Sequence, residues 1–235
     1  IGGENIAACI VEPIAGSTGA LVPPKGYLNK LREICDKHGI LLIFDEVITG
    51  WGRTGEPFAA QAFGVTPDII TMAKGITNGV MPLGAVASRE KIYDTILDAS
   101  PTGAVEFFHG YTYSAIPPSI AAGLAMQDII EKENLIQRSK DMSPYFLDGL
   151  FSLKDIDIIT DIRGYGMLGG IDIRFDERPG KAGYTCFKKL FEAGLSLKAT
   201  GDCLIVAPPF ICEREHIDEI IEKLRTGITN YIKSK

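Results

Sequence analysis

Residues 40–44 read Ile-Leu-Leu-Ile-Phe, an unbroken apolar run that stops at two acids, Asp45 and Glu46. A run of this length with no polar residue to face water is the pattern of a strand buried on both faces, as in a parallel sheet covered by helices. The flanking sequence fits that setting. Residues 5–11 read as a strand, and residues 24–37 as a helix that aligns Leu28, Leu31 and Cys35 and stops at Gly39. Residues 56–63 read as a short helix and 68–73 as another buried strand. Strand, helix, strand in this order predicts an α/β fold with a mostly parallel sheet.

From about Asn134 the pattern changes. A helix over 117–131, with proline in its tolerant first turn, is followed by a helix reaching about 150. Two strands, 156–162 and 167–174, then flank Gly164-Tyr165-Gly166. A helix over 182–192, a strand over 204–207 and a last helix complete the chain. That helix carries Ile217, Ile220, Ile221, Leu224, Ile228 and Ile232 as one apolar stripe. The expectation is a larger unit over 1–132, a hinge near 131–134 and a small α+β domain over 133–235.

Composition narrows the function classes. With 46% hydrophobic and 23% charged residues, the 235-residue chain has the make-up of a folded protein. Its net charge of −6 lacks the basic footprint that nucleic acids and anionic membranes select. No apolar run approaches the roughly 20 residues of a membrane-spanning helix, and no signal-like segment opens the sequence. Five scattered cysteines, Cys9, Cys35, Cys186, Cys203 and Cys212, form no metal-binding spacing. They are expected to be buried free thiols in a reducing cytoplasm, with no metal site.

Two positions suggest chemistry. Asp45 and Glu46 fall at the carboxyl end of a predicted parallel strand, where open α/β sheets bind ligands. An acid there can equally cap the next helix or pair with Arg53. Lys74 follows the next strand directly, beside Met72, Ala73 and Gly75. An isolated lysine is ordinarily a solvated surface charge. At a strand end it is expected to be partly desolvated, which favours the free amine that attacks carbonyls. An amine that forms an imine and an acid that holds a pyridinium nitrogen, on consecutive strands over one sheet edge, are what pyridoxal phosphate requires.

The blocks Asp45-Glu46-Val47-Ile48-Thr49-Gly50-Trp51-Gly52-Arg53-Thr54-Gly55, Pro67-Asp68-Ile69-Ile70-Thr71-Met72-Ala73-Lys74-Gly75 and Asn78-Gly79-Val80-Met81-Pro82-Leu83-Gly84-Ala85 resemble class III aminotransferases. Val11-Glu12-Pro13-Ile14, His109-Gly110-Tyr111-Thr112-Tyr113-Ser114, Thr200-Gly201-Asp202 and Ala207-Pro208-Pro209 agree in order. The likeness is strongest to the ω-amino acid:pyruvate (β-alanine:pyruvate) type. It implies the fold type I of pyridoxal-phosphate-dependent transferases, here as part of the large domain plus the small one. It also implies transfer of an amino group from an ω-amino acid or amine to a keto acid such as pyruvate.

By position, the resemblance implies that Lys74 is the Schiff-base lysine and proton carrier, that Asp45 holds the ring nitrogen and that Val47 packs on the ring. Thr112 would bind the cofactor phosphate of the neighbouring subunit, making a homodimer part of the site. Glu12 would lie near the cofactor in a structural pairing. Ile48 stands where ornithine-type relatives carry glutamine and cannot donate to the ring oxygen. Lys198 replaces an arginine that grips substrate carboxylate and loses its planar fork, and Ile116 replaces a histidine. The family places a whole N-terminal half before these blocks, so the chain is expected to be the C-terminal part of such an enzyme. A non-catalytic piece that needs that half is the alternative.

A dinucleotide-dependent oxidoreductase is a remote rival, since Gly50 to Gly55 and Gly164 to Gly169 both match G-x-G-x-x-G. The second is followed by a strand where a helix is needed. The first is preceded by two acids that would repel a pyrophosphate.

Overall fold

The computed structural model describes residues 2–102, 109–174, 176 and 178–234. Three short strands, β1 (Ala8–Val11), β2 (Leu41–Asp45) and β3 (Ile69–Met72), pair side by side in parallel. The crossovers carry α1 (Tyr27–His38) and the single-turn α2 (Ala59–Phe63). Leu28 and Cys35 of α1 meet Leu42 and Phe44 of β2 in one buried cluster with Val65. Only that face of β2 is fully buried; Leu41, Ile43 and Asp45 are half-buried, which corrects the expectation of a strand covered on both faces.

β4 (Ala85–Ser88) adds an antiparallel fourth strand next to β3, and α3 (Glu90–Ala99) follows it. The sequence does not predict β4, because Ala-Val-Ala-Ser is too short and too small-sided to stand out as a strand, and α3 is likewise an element beyond the expectation. Helix starts also shift. α1 begins at Tyr27 rather than 24 because Gly26, at φ 83°, turns the chain left-handed just before it.

α4 (Pro117–Lys132) and α5 (Leu135–Phe151) meet at a tight corner where Asn134 takes φ 51°. Beyond them lies a second sheet of β5 (Ile159–Tyr165), β6 (Leu168–Ile173), β7 (Lys198–Thr200) and β8 (Cys203–Val206). Its order is β5-β6-β8-β7 and every pairing is antiparallel. The β5–β6 turn is Gly166-Met167 alone, with Gly166 at φ 60°, so Gly164 and Tyr165 belong to the strand. β5 starts at Ile159, since Ile156 caps a preceding single turn.

α6 (Lys181–Glu192) and α7 (Arg214–Lys233) cover this sheet. Phe146, Leu150, Ile171, Leu190, Leu204, Ile217, Leu224 and Ile228 form its sealed core, and the expected stripe of α7 faces it. Cys35, Cys186 and Cys203 are buried thiols, whereas Cys9 and Cys212 are half-buried; all five are free. No helix among the described residues is long and apolar enough to cross a membrane.

The two sheets are joined by the loop after β1. Its Ile14 and Ala20 pack with Leu168, Cys203 and Ile205 of the second sheet. Arg163 of β5 fastens it, donating from Nε to Gly19 O at 2.8 Å while its two Nη atoms grip Asp172 at 2.8 and 2.9 Å.

Candidate active site

β1, β2 and β3 run in parallel, so their carboxyl ends share one edge of the sheet. Asp45 is the last residue of β2 and lies level with Thr71 of β3; Lys74 comes just past the end of β3. The half-buried Asp45 accepts the Val47 backbone N–H at 3.0 Å, which fixes the carboxylate with its other oxygen unengaged among the described residues. Lys74 is exposed, so the expected partial desolvation is not provided by these residues. No ion pair among the described residues involves either group, which leaves amine and acid available to a third molecule.

Backbone strain gathers at this spot. Lys74 opens a single turn, Lys74–Ile76, with φ 47°, and Trp51 across from it has φ 60°. Left-handed conformations cost non-glycine residues about 1–2 kcal/mol. A Cβ on Gly75 would lie 2.6 Å from the Trp51 Cβ, so only glycine lets the two strained segments touch. The Trp51 indole Nε1 is buried without a hydrogen-bond partner among the described residues. Buried orphan donors and strained φ angles persist where the surroundings enforce them, which is a mark of functional sites.

The adjacent acids divide their labour. Glu46 is fully buried and accepts the Ala59 and Ala60 backbone N–H groups at 2.7 and 2.8 Å and the Thr49 hydroxyl at 2.7 Å. It is the cap of α2. Burial pushes its carboxyl above the usual range, against the pull of those three donors. The capping alternative is thus realised by Glu46, while Asp45 keeps one oxygen unengaged among the described residues. Arg53 does not pair with Asp45; its Nη1 donates to Met167 O and Pro208 O, both at 2.8 Å.

A cavity of about 720 Å³ opens between the two sheets. Lys74 and Val47 form part of one wall, and Lys198 with Phe210 part of the other. Arg53, Lys74 and Lys198 are its charged lining residues, with no acid among the described ones, in a chain whose net charge is −6. The exposed amines of Lys74 and Lys198 suit an anionic ligand with an apolar body, whereas the Arg53 guanidinium is engaged by backbone carbonyls. Lys198 is the exposed first residue of β7. Ile48 also faces the cavity and packs on Gly16, where a Cβ would lie 2.7 Å from the Ile48 Cδ1.

Asp45, Glu12 and Thr112 are not among the lining residues. The Glu12 carboxylate accepts the Gly16 N–H at 2.9 Å, a structural pairing that shapes the loop after β1. Thr112 is exposed in a turn between Tyr111 and Tyr113, themselves 76% and 81% exposed.

Three residues with structural tasks here have no signal in local periodicity. Arg138 of α5 donates to Phe210 O and Ile211 O at 2.9 Å, holding the segment after β8 from outside the cavity. Asp202, in the β7–β8 turn, accepts the Gly180 and Gly183 N–H groups at 2.8 and 3.0 Å and so caps α6. Arg53 is the third. Only the fold brings these partners together.

The dinucleotide rival fails on the same geometry. The only helix after Gly50 to Gly55 and before β3 is α2, a single turn whose N-terminal amides are already held by Glu46. Gly164 to Gly169 is the β5–β6 hairpin.

A free amine and an oriented acid on neighbouring parallel strands, beside a cationic cavity in an α/β scaffold, match the design of pyridoxal-phosphate enzymes of fold type I. Solved transaminases share the fold. An (S)-enantioselective ω-transaminase from Thermomicrobium roseum superposes with a TM-score of 0.91 at 36% identity, covering 98% of this chain and 52% of that one. An ω-transaminase mutant from Pseudomonas jessenii gives 0.93 at 32%, covering 98% and 52%. The class-III aminotransferase family matches residues 1–228, and the chain belongs to it.

Among relatives, an ω-aminotransferase of Caulobacter vibrioides is 51% identical over 225 residues, 94% of this chain and 51% of its own length. A β-alanine–pyruvate aminotransferase of Pseudomonas aeruginosa is 49% identical over 221 residues, 93% and 49% of the respective chains. The chain thus spans about half the length of the curated relatives it matches. An ornithine aminotransferase of Staphylococcus carnosus is less similar, at 38% over 225 residues.

Proposed function

We propose that the chain forms part of a pyridoxal-phosphate-dependent aminotransferase that moves the amino group of an ω-amino acid such as β-alanine, or a similar amine, to pyruvate or a related keto acid. The observation that carries this reading is the placement of Lys74 and Asp45 at the ends of adjacent parallel strands, with Lys74, Val47 and Lys198 on one cationic cavity. The residues fit the cofactor: the amine is unpaired among the described residues, the acid is oriented by a backbone amide, and Gly75 leaves no side chain between Trp51 and the lysine turn.

When bound, pyridoxal phosphate supplies an electron sink for the substrate carbon that loses its proton. Lys74 would anchor the cofactor through its amine and then act as the base that takes that proton and the acid that gives it up. Asp45 would hold the ring nitrogen in its protonated form, and Val47 would pack on the ring. Lys198 attracts the substrate carboxylate as a point charge, without the two-pronged grip of an arginine. Thr112 would bind the phosphate in a second protomer, and Glu12, which accepts the Gly16 N–H, would hold its loop near the cofactor. The chain works in the cytoplasm, together with the half of the enzyme that its relatives carry and this sequence does not include. We place the division between its large and small domains at 132/133, beside the Asn134 corner.

Loading the protein with pyridoxal phosphate and reducing it with borohydride is expected to leave a pyridoxyl group on Lys74, located by peptide mass spectrometry. Lys74→Ala is expected to abolish the label. β-Alanine should convert the bound cofactor to its amine form, and pyruvate should restore the aldehyde. An unlabelled Lys74 in the presence of the N-terminal half would refute the reading, and response to ornithine-type diamines alone would refute the substrate class.

A further inference from the structure

Arg53 is a cation to which the proposed chemistry assigns no task. No carboxylate pairs with it among the described residues. Taking such a charge out of water costs several kcal/mol unless polar groups compensate. Burial pushes its pKa down to about 10, which leaves it charged at neutral pH. Its compensation comes from backbone and ring: Met167 O, Pro208 O and the face of Phe210, whose centroid lies 4.5 Å from the guanidinium carbon.

All three contacts run in one direction. Arg53 belongs to the loop after β2 that carries Val47 and Trp51, the lysine side of the cavity. Met167 is in the β5–β6 turn, and Pro208 and Phe210 follow β8 on the opposite wall. The backbone reciprocates, with Met167 N–H donating to Arg53 O at 2.9 Å. The wall segment is therefore hung by its carbonyls on two guanidiniums, Arg53 inside the cavity and Arg138 outside it.

We propose that Arg53 is a positioning residue for the substrate side of the cavity. By gripping Met167 and Pro208 and stacking on Phe210, it fixes the gap between the loop that carries Val47 and the wall that carries Phe210. It thereby sets substrate affinity without entering the chemistry at Lys74. A guanidinium suits this task because it can bond at its edge while stacking on its face, which an ammonium does only partly. The proposal rests on the aminotransferase reading.

The test compares Arg53→Met and Arg53→Lys with the unaltered protein, loaded with pyridoxal phosphate and with the N-terminal half present. In Arg53→Met the borohydride label on Lys74 is expected to persist. KM for β-alanine and pyruvate should rise by about tenfold or more, since small displacements of positioning groups are costly. The kcat should change by less than about threefold, because the interaction lost is made equally in ground and transition states. Amide hydrogen exchange should quicken at residues 207–212 and stay unchanged in β2 and β3. Arg53→Lys should recover part of the KM, and if Arg53→Met does not fold, Arg53→Lys is expected to show the same split at smaller amplitude. Unchanged KM, a fall in kcat at fixed KM, or exchange that quickens uniformly would overturn the proposal. An unlabelled Lys74 in the unaltered protein would instead defeat the aminotransferase reading, and unchanged exchange at 207–212 would still defeat the clamp.

Discussion

Asp45 and Glu46 are neighbours of like charge with opposite tasks, and the difference lies in what each carboxylate touches. Among the described residues Glu46 meets three donors in a fully buried site, while Asp45 meets one and keeps an oxygen unengaged. Glu46→Ala is expected to leave two helix amides and the Thr49 hydroxyl short of partners and to cost about 3 kcal/mol, measured by urea unfolding. A loss below about 0.5 kcal/mol would mean that water replaces the carboxylate without penalty. The order strand-acid-acid was plain in the sequence. Which acid would cap could not be read there, because the choice depends on where the α2 amides come to rest.

The elements most legible in the sequence were those with strong periodicity. α7 announced its buried stripe, and the buried face of β2 its apolar run. β4 was missed, because a strand of four small residues owes its existence to the neighbour it pairs with; α3 was missed although its apolar residues do follow a helical period. Tertiary contact also reverses a local preference in α6. By helix propensity alone Gly183→Ala should stabilise α6 by up to about 1 kcal/mol, yet a Cβ there would run into the Gly201 carbonyl oxygen of the β7–β8 turn. That acceptor is backbone and cannot rotate away. The substitution is therefore expected to destabilise by about 1–3 kcal/mol, read as a lowered urea midpoint; a raised midpoint would show that α6 shifts freely.

At the scale of the molecule, the two sheets communicate through the loop after β1, and Arg163 is its fastening. The hydrogen bonds from Arg163 hold the Asp172 carboxyl below the ordinary 3.8, overcoming the opposing effect of burial. A folded-state pKa below the unfolded value gives stability that is present above about pH 4 and is lost as pH falls through the folded pKa. Asp172→Asn is expected to flatten the acid limb of the stability–pH curve, followed by urea unfolding between pH 2 and 6; an unchanged limb would place the acid sensitivity elsewhere. The first sheet bears a different kind of liability. Among the described residues β1 and β4 each pair on one side only, with Ile10 and Val86 61% and 68% exposed. Unpaired strand margins with apolar side chains are templates for further strand addition, so the chain by itself is expected to self-associate through β1 or β4, read as a sedimentation coefficient that rises with concentration; a constant coefficient would show that these margins do not recruit a partner.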